Sequence, residues 1–296
     1  MAIGYYEFTV RSDDDGVLLK SFLRRKCGLS ARSMTVIKYN GGSILRENEA
    51  LRARDILRDG DLIKVRLPKE QCDIAPAEGD LDILFEDNYL LIVNKPPAMP
   101  VHPTKRHQYD TLANIVSLYQ QSRGESYTFR ALNRLDMDTS GCVILAKDRI
   151  AYRLVFPTIR KTYYAVCEGV ITEGGTIDAP IGSADASRIK RCVRNDGSVA
   201  ITHYEPVFDD GKHTLCRVWL ETGRTHQIRC HMSYLGHPLA GDAMYGGSME
   251  LIQRQALHCQ SVTLRHPVTD DMIHVKTPLP HDFKSVINSA SPYYPE

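Results

Sequence analysis

The sequence predicts an α+β protein whose larger part is built on a central mixed, largely antiparallel sheet. The chain contains many short β-prone runs and few long helical ones, and strands do not alternate with helices as they would in a doubly wound fold. The turn Asp209-Asp210-Gly211 leads into the β-prone run 215–220, which favours antiparallel pairing. A smaller α/β unit is predicted to precede this sheet.

Length and composition allow two domains. The 296 residues, 43% of them hydrophobic, suffice for a sizeable core. Eight cysteines occur without a Cys-x-x-Cys pair, which argues against a zinc site or a disulfide framework and fits a reducing compartment. No run approaches the roughly 18 apolar residues of a membrane span, and no signal peptide is recognisable. We therefore expect a cytoplasmic protein with no membrane partner and no metal.

The net charge of +1 is unevenly distributed. Residues 1–70 carry 14 Lys and Arg against 10 Asp and Glu, a net charge of +4, whereas residues 71–296 carry 23 against 26, a net charge of −3. A basic excess in one segment fits a module that docks on nucleic acid. An ordinary solvated surface would also account for it.

The first predicted element is a helix with an apolar face over residues 17–23. Ser30 is a plausible N-cap of a second helix that ends at Gly41-Gly42, although residues 35–39 are β-prone by composition. A turn at 59–61 precedes a strand at 62–66. The basic side chains that could contact a nucleic acid are Arg24, Arg25, Lys26 and Arg32.

Residues 71–80 are predicted to form a linker. They contain proline, glycine and three acidic residues, with little hydrophobic periodicity. The larger domain is expected to begin at residue 81.

The most informative stretch is the run from residue 131 to residue 146. A short apolar start, a polar turn that ends in Thr-Ser-Gly, and an apolar β-branched run predict strand, tight loop and strand. Arg134 and Asp136 lie on that loop, where a rigid scaffold presents reactive groups. Taken alone, they could equally be an exposed ion pair.

The second informative stretch covers residues 215–247. A strand over 215–220 is broken by Thr222-Gly223, and Ile228, Met232 and Leu235 then recur with helical spacing until Gly236. Arg224 therefore lies at a strand-to-helix junction, where its side chain can point into a cleft.

These segments resemble, in chain order, the motifs of the RluA-type pseudouridine synthases over roughly residues 81–283. The similarity to that family's (His/Asn)-Arg-Leu-Asp-x-x-Thr-Ser-Gly motif is carried by Asn133–Gly141. The other matching segments are 85–97 with 101–103, Lys161–Gly169, Thr222–Arg229 with 235–238, 256–258 and 266–269. The N-terminal part resembles a degenerate S4-type RNA-binding domain, and that pattern makes residues 35–39 helical.

The resemblance implies three regions and one activity. Residues 1–70 would be the S4-like RNA-binding domain, 71–80 the linker, and 81–296 a catalytic domain with the pseudouridine synthase fold and an active-site cleft across its sheet. The implied activity is isomerisation of specific uridines in structured RNA, with ribosomal RNA favoured and transfer RNA as the alternative. The enzyme is expected to act as a monomer and to need no cofactor.

The resemblance also assigns the site residues. Breaking the N1–C1′ bond of uridine and rejoining the uracil through C5 needs a carboxylate that attacks C1′ or removes a sugar proton, and Asp136 matches that residue. Arg224 matches the family arginine that pairs with the aspartate and opposes the effect of burial on its pKa. Tyr163 would stack on the uracil and accept the C5 proton. Arg134 would fill the space left when the uridine flips out of the RNA.

Three positions depart from the family pattern. Asn133 stands where histidine is commoner, and we expect it to support the loop. Ala98 replaces a glycine in a Lys-Pro-x-Gly turn. The predicted helix at 150–156 is short and ends at Pro157.

Two other classes of function are compatible with parts of the sequence. A metal-dependent hydrolase would use His226, His231 and His237, but the five-residue spacing of the first two is poor for a helix-borne pair. A non-catalytic RNA-binding assembly factor would share the fold, but it would not need intact Asp136, Arg224 and Tyr163.

Overall fold

The computed structural model describes residues 5–184 and 189–287. Its N-terminal segment, residues 5–70, packs two helices, α1 (Leu19–Cys27) and α2 (Ala31–Tyr39), with a four-stranded antiparallel sheet. The strands are β1 (Tyr6–Thr9), β2 (Ser43–Arg46), β3 (Glu49–Ala50) and β4 (Leu62–Arg66), in the order β1-β4-β2-β3. The Ser30 side chain caps α2 by accepting from the Ser33 N–H at 3.1 Å. The predicted cap and the helical prediction for residues 35–39 are thus confirmed.

The rest of the described chain forms one nine-stranded sheet, a two-stranded hairpin and three helices. The helices are α3 (Leu112–Ser122), α4 (Arg149–Val155) and α5 (Gln227–Tyr234). The hairpin joins β10 (Ile181–Ser183) to β11 (Arg191–Val193). The sheet strands are β5 (Asp82–Glu86), β6 (Leu90–Lys95), β7 (Ser140–Ala146), β8 (Arg160–Glu168), β9 (Gly175–Asp178), β12 (Ile201–Asp209), β13 (His213–Leu220), β14 (Leu257–Arg265) and β15 (Met272–Lys276).

The sheet is mixed and largely antiparallel, as predicted. Its order is β5-β6-β7-β14-β8-β13-β12-β9, with β15 added beside β14. Within the described ranges, β7 and β14 form the single parallel pair. The glycine of the Thr-Ser-Gly motif makes this pairing possible: Gly141 has a φ of 111°, and a Cβ there would collide with the Cys259 carbonyl. Strands β6 and β7 are almost wholly buried, which explains their continuous apolar sequence.

The residues predicted as a linker lie against α3. The Asn114 side chain donates to the Ala75 carbonyl at 2.8 Å, and the Asn114 backbone carbonyl accepts from the Ala77 N–H at 3.1 Å. One turn later the Ser117 hydroxyl donates to the Ile74 carbonyl at 2.7 Å. Residues 71–77 thus form a strap along the helix.

The N-terminal segment packs directly on α4. The Tyr6 hydroxyl donates to Asp148 Oδ2 at 2.7 Å in a buried contact, and Ile150 belongs to the hydrophobic cluster of the N-terminal segment. Asp148 also caps α4 by accepting from the Ile150 and Ala151 N–H groups at 2.8 and 2.9 Å. Helix α4, the short helix predicted before Pro157, therefore forms part of the surface on which the N-terminal segment packs.

None of the helices in the described ranges combines the length and the apolar character that a bilayer crossing would require.

Candidate active site

The loop between residues 133 and 139 carries the predicted carboxylate and is fixed at its start by an asparagine. The Asn133 amide donates to the Cys142 carbonyl at 3.0 Å and accepts from the Ile144 N–H at 2.9 Å, so its side chain is bound to β7. The expected strand before the loop is reduced to an isolated bridge between Ala131 and Leu145. Asn133 therefore supports the loop, as expected from its position.

Two cationic side chains, Lys95 and Arg254, donate hydrogen bonds to backbone carbonyls of this loop. The buried Lys95 ammonium donates to the Met137 carbonyl at 2.9 Å and to two carbonyls of the turn after β6 at 2.8 Å each. Burial lowers the pKa of Lys95 to about 7. Arg254 donates to the Asp138 carbonyl at 3.1 Å and is itself held by two hydrogen bonds to Asp282. The loop that presents Asp136 is therefore held rigidly in advance of any ligand.

Asp136 is paired with Arg229, which comes from the first turn of α5. Arg229 Nη1 donates to Asp136 Oδ2 at 3.0 Å, while Nε and Nη2 bind both oxygens of Asp242 at 2.7 and 2.9 Å. The side chains of Arg229 and Asp242 are only 7% and 1% exposed, whereas that of Asp136 is 28% exposed. Burial opposes protonation of the guanidinium, but the hydrogen bonds to Asp242 and the two negative charges raise the pKa of Arg229 above its ordinary value. Asp242 thus anchors a permanent positive charge beside Asp136.

The prediction that Arg224 pairs with Asp136 is wrong. Arg224 is exposed, and its Nε donates to the Val199 carbonyl at 2.9 Å. The cause is where the helix begins: Arg224 lies in the turn before α5, whereas Arg229 lies within the helix and faces inward. Arg224 still lines the cleft, at its rim.

Tyr163 and Arg134 both line the cleft. Tyr163, on β8, is 5% exposed, and burial raises the pKa of its phenol well above the ordinary value, so it is protonated at neutral pH. Arg134 is exposed at the mouth and makes no hydrogen bond within the described ranges. The cleft has a volume of about 60 Å³, room for a few water molecules.

The three histidines of the hydrolase alternative do not form a metal site. His231 has both ring nitrogens engaged, with Thr202 Oγ1 and the Ala179 carbonyl, each at 2.9 Å. His237 Nδ1 binds a carbonyl at 2.8 Å, and only His226 lines the cleft. Across residues 5–184 and 189–287, no group of three or more His, Cys, Asp or Glu side chains is placed to hold a metal ion.

The basic residues predicted in the N-terminal segment are all exposed, and none lines the cleft. Arg25 and Lys26 both form ion pairs with Asp14, so part of their charge is already neutralised. Arg24 and Arg32 have no ion-pair partner in the described part of the chain.

Sequence reasoning missed Arg229 and Asp242, although both lie within the stretch that it singled out. From the sequence, either Arg224 or Arg229 could face the aspartate. The choice depends on the residue at which α5 begins. Asp242 carried no signal of its own, because its role depends on a loop that folds back against α5. A buried arginine requires a carboxylate partner, so the burial of Arg229 implies a buried carboxylate beside it, and that carboxylate is Asp242.

Comparison with known proteins identifies the family of the chain. The profile of the RNA pseudouridylate synthase family matches residues 89–234. The chain is 39% identical over 290 residues to the uncharacterized RNA pseudouridine synthase YhcT of Bacillus subtilis, covering 95% of each chain. It is 37% identical over 262 residues to ribosomal large subunit pseudouridine synthase D of Pseudomonas aeruginosa, covering 82% of each.

A solved structure shares the fold as well. Human RNA pseudouridylate synthase domain containing 1 superposes with a TM-score of 0.53 at 26% identity, over 67% of this chain and 83% of that one. The matching profile, the relatives that span almost the whole chain and this shared fold all indicate the same family. The chain belongs to the RNA pseudouridine synthases of the RluA type and is an isomerase of uridine in RNA.

Proposed function

We propose that this enzyme isomerises specific uridines in structured ribosomal RNA and that Asp136 is its catalytic carboxylate. The observation that carries the proposal is the arrangement of Asp136, Arg229 and Asp242. A partly exposed carboxylate faces an open cleft, while a buried arginine, fixed from behind by a second carboxylate, donates to one of its oxygens.

The arrangement suits the reaction. The C1′–N1 bond of uridine breaks, the uracil rotates, and a C1′–C5 bond forms; the C5 proton then leaves, and N1 gains one. A carboxylate that acts at the ribose must remain ionised when RNA seals the cleft and excludes water, a change that favours the neutral acid. The fixed charge of Arg229 at 3.0 Å counteracts that change.

Two further roles are proposed within the cleft. Tyr163, buried on β8, would stack against the flipped uracil; because its phenol is protonated, it would donate a hydrogen bond rather than act as a ready base. Arg134, exposed and unbonded at the mouth, would occupy the gap left in the RNA, where a flat guanidinium can stack between bases.

The choice of ribosomal RNA rests on the relatives and on the N-terminal segment. Several relatives are named as ribosomal large subunit pseudouridine synthases, including those of Pseudomonas aeruginosa and Haemophilus influenzae. We propose residues 1–70 as an S4-like RNA-docking domain and 81–296 as the catalytic domain, of which residues 288–296 lie outside the described part. The exposed cations Arg24 and Arg32 are the residues of that docking domain most available to phosphates.

Turnover on defined RNAs tests the proposal. Loss of the C5 hydrogen makes tritium release from [5-³H]uridine a direct measure of the reaction. We expect release from large-subunit ribosomal RNA and none from transfer RNA transcripts. Release from transfer RNA alone would overturn the choice of substrate. Binding without release from any RNA would instead support the non-catalytic alternative.

A further inference from the structure

His226 has an unusual backbone conformation at the edge of the catalytic cleft. Its φ of 57° and ψ of 22° lie in the left-handed region, which costs a residue other than glycine roughly 1 kcal/mol. This conformation precedes α5 and directs the imidazole between two groups. Nε2 lies 3.8 Å from Asp136 Oδ2, and Nδ1 lies 3.1 Å from the Tyr245 hydroxyl.

The hydrogen bonds of Tyr245 favour one tautomer of His226. The Arg191 backbone N–H, on β11, donates to the Tyr245 hydroxyl oxygen at 2.9 Å. The hydroxyl lies 3.1 Å from His226 Nδ1 and can donate its own proton to that nitrogen. In that arrangement the proton of the neutral ring is on Nε2, on the side of Asp136.

We propose that His226 is a positioning residue: held by Tyr245 as the neutral Nε2–H tautomer, it orients the Asp136 carboxylate. This inference rests on the proposed catalytic role of Asp136. Both His226 and Arg229 approach the same oxygen, Oδ2, and Oδ1 has no hydrogen-bond partner within the described ranges. The pair therefore fixes one oxygen and leaves the other for the ribose. The 3.8 Å separation is longer than a hydrogen bond and is expected to shorten when RNA closes the cleft.

Burial, more than the surrounding charges, keeps the His226 ring neutral. Burial is the largest influence and lowers its pKa. Asp136 and Asp242 favour protonation of the ring, whereas Arg229 and Arg191 oppose it. Protonation would place a hydrogen on Nδ1 and remove the hydrogen bond from Tyr245, so the positioning of Asp136 should be lost as the pH falls through this lowered pKa.

Substitutions that imitate one nitrogen at a time provide the test. A glutamine amide can place its N–H near the position of Nε2, whereas an asparagine amide reaches only the position of Nδ1. We expect H226A and H226N to lower kcat by about 10²-fold with little change in KM, since a misplaced reacting group costs about that much. H226Q should restore kcat to within about fivefold of wild type, because it replaces the hydrogen bond that matters.

The pH profile distinguishes positioning from simple packing. The Tyr245 hydroxyl stabilises the unprotonated Nδ1, so Y245F should raise the pKa of His226 and shift the acid limb of kcat to higher pH. In H226Q that limb should be absent. The unfolding midpoint of each variant, measured in urea, controls for folding, and Y245F supplies a second readout if H226Q folds poorly.

Equal losses in H226Q, H226N and H226A, or an unmoved acid limb in Y245F, would overturn the inference. Asp136→Asn, assayed in parallel, separates this outcome from failure of the proposed function. If D136N is inactive while the His226 series shows no preference for glutamine, only the role of His226 is wrong. If D136N retains turnover, the proposed role of Asp136 fails.

Discussion

Replacing Arg229 by methionine should destabilise the protein far more than the same change at Arg224. Arg229 makes three hydrogen bonds to two carboxylates while 7% exposed, and its partner Asp242 is 1% exposed. Arg229→Met leaves Asp242 buried without a counter-charge, which costs about 3–5 kcal/mol. Arg224→Met removes one exposed hydrogen bond to a backbone carbonyl, worth about 1 kcal/mol or less.

A double variant separates the cost of the unpaired Asp242 charge from the other effects of losing Arg229. Because Arg229→Met combined with Asp242→Leu removes both charges, most of the lost stability should return, whereas activity should remain lost. Urea unfolding followed by fluorescence of Trp219, the only tryptophan, gives the free energies, and tritium release gives turnover. The reasoning would be refuted if Arg224→Met destabilised the protein as much as Arg229→Met, or if Asp242→Leu failed to restore stability.

Four further predictions concern acid stability, one turn, the N-terminal segment and the strap on α3. Burial lowers the pKa of His258 to about 3, so the denatured chain binds a proton near pH 6.5 that the native protein does not. The free energy of unfolding should therefore fall by about 1.4 kcal/mol per pH unit below pH 6.5. In H258Q the pH dependence of that free energy, measured by urea unfolding, should decrease by the equivalent of one bound proton. An unchanged pH dependence would contradict the lowered pKa of His258. Ala98 has a φ of 58°, so A98G should stabilise the protein by roughly 1 kcal/mol, seen as a higher melting temperature, whereas a lower one would mean that the turn tolerates alanine without strain. A chain that begins at residue 71 should bind ribosomal RNA more weakly and with a shallower salt dependence than the whole chain, since it neutralises fewer phosphates; equal slopes would exclude the N-terminal segment from docking. A chain that begins at residue 78 also lacks the strap on α3 and should unfold at lower urea than the chain that begins at 71.

Local sequence patterns predicted most of the fold because each of those elements is determined by neighbouring residues. The N-cap at Ser30, the hairpin before β13 and the apolar run of β7 all depend on residues within a few positions of one another. The helix over 35–39 was predicted only through the S4 resemblance. Its residues are β-prone by themselves, and packing against the surrounding core overrides that propensity.

The site was only partly predictable because its contacts join distant segments. Asp136 and Tyr163 were found through their motifs, but the partner of Asp136 depends on the residue at which α5 begins. The left-handed conformation of His226 and the anchoring of Arg229 by Asp242 arise from tertiary packing. The strap formed by residues 71–77 has a composition typical of a linker, and its bonds to α3 are invisible in sequence.

Turnover by Asp136→Asn tests the central claim most directly. Asparagine has nearly the same shape and can still accept a hydrogen bond from Arg229, so folding and RNA affinity should stay close to those of wild type. Tritium release from ribosomal RNA should fall by about 10³-fold or more, because the charge and basicity of the carboxylate are lost. Release within about tenfold of wild type, at equal RNA affinity, would show that Asp136 is not the catalytic carboxylate.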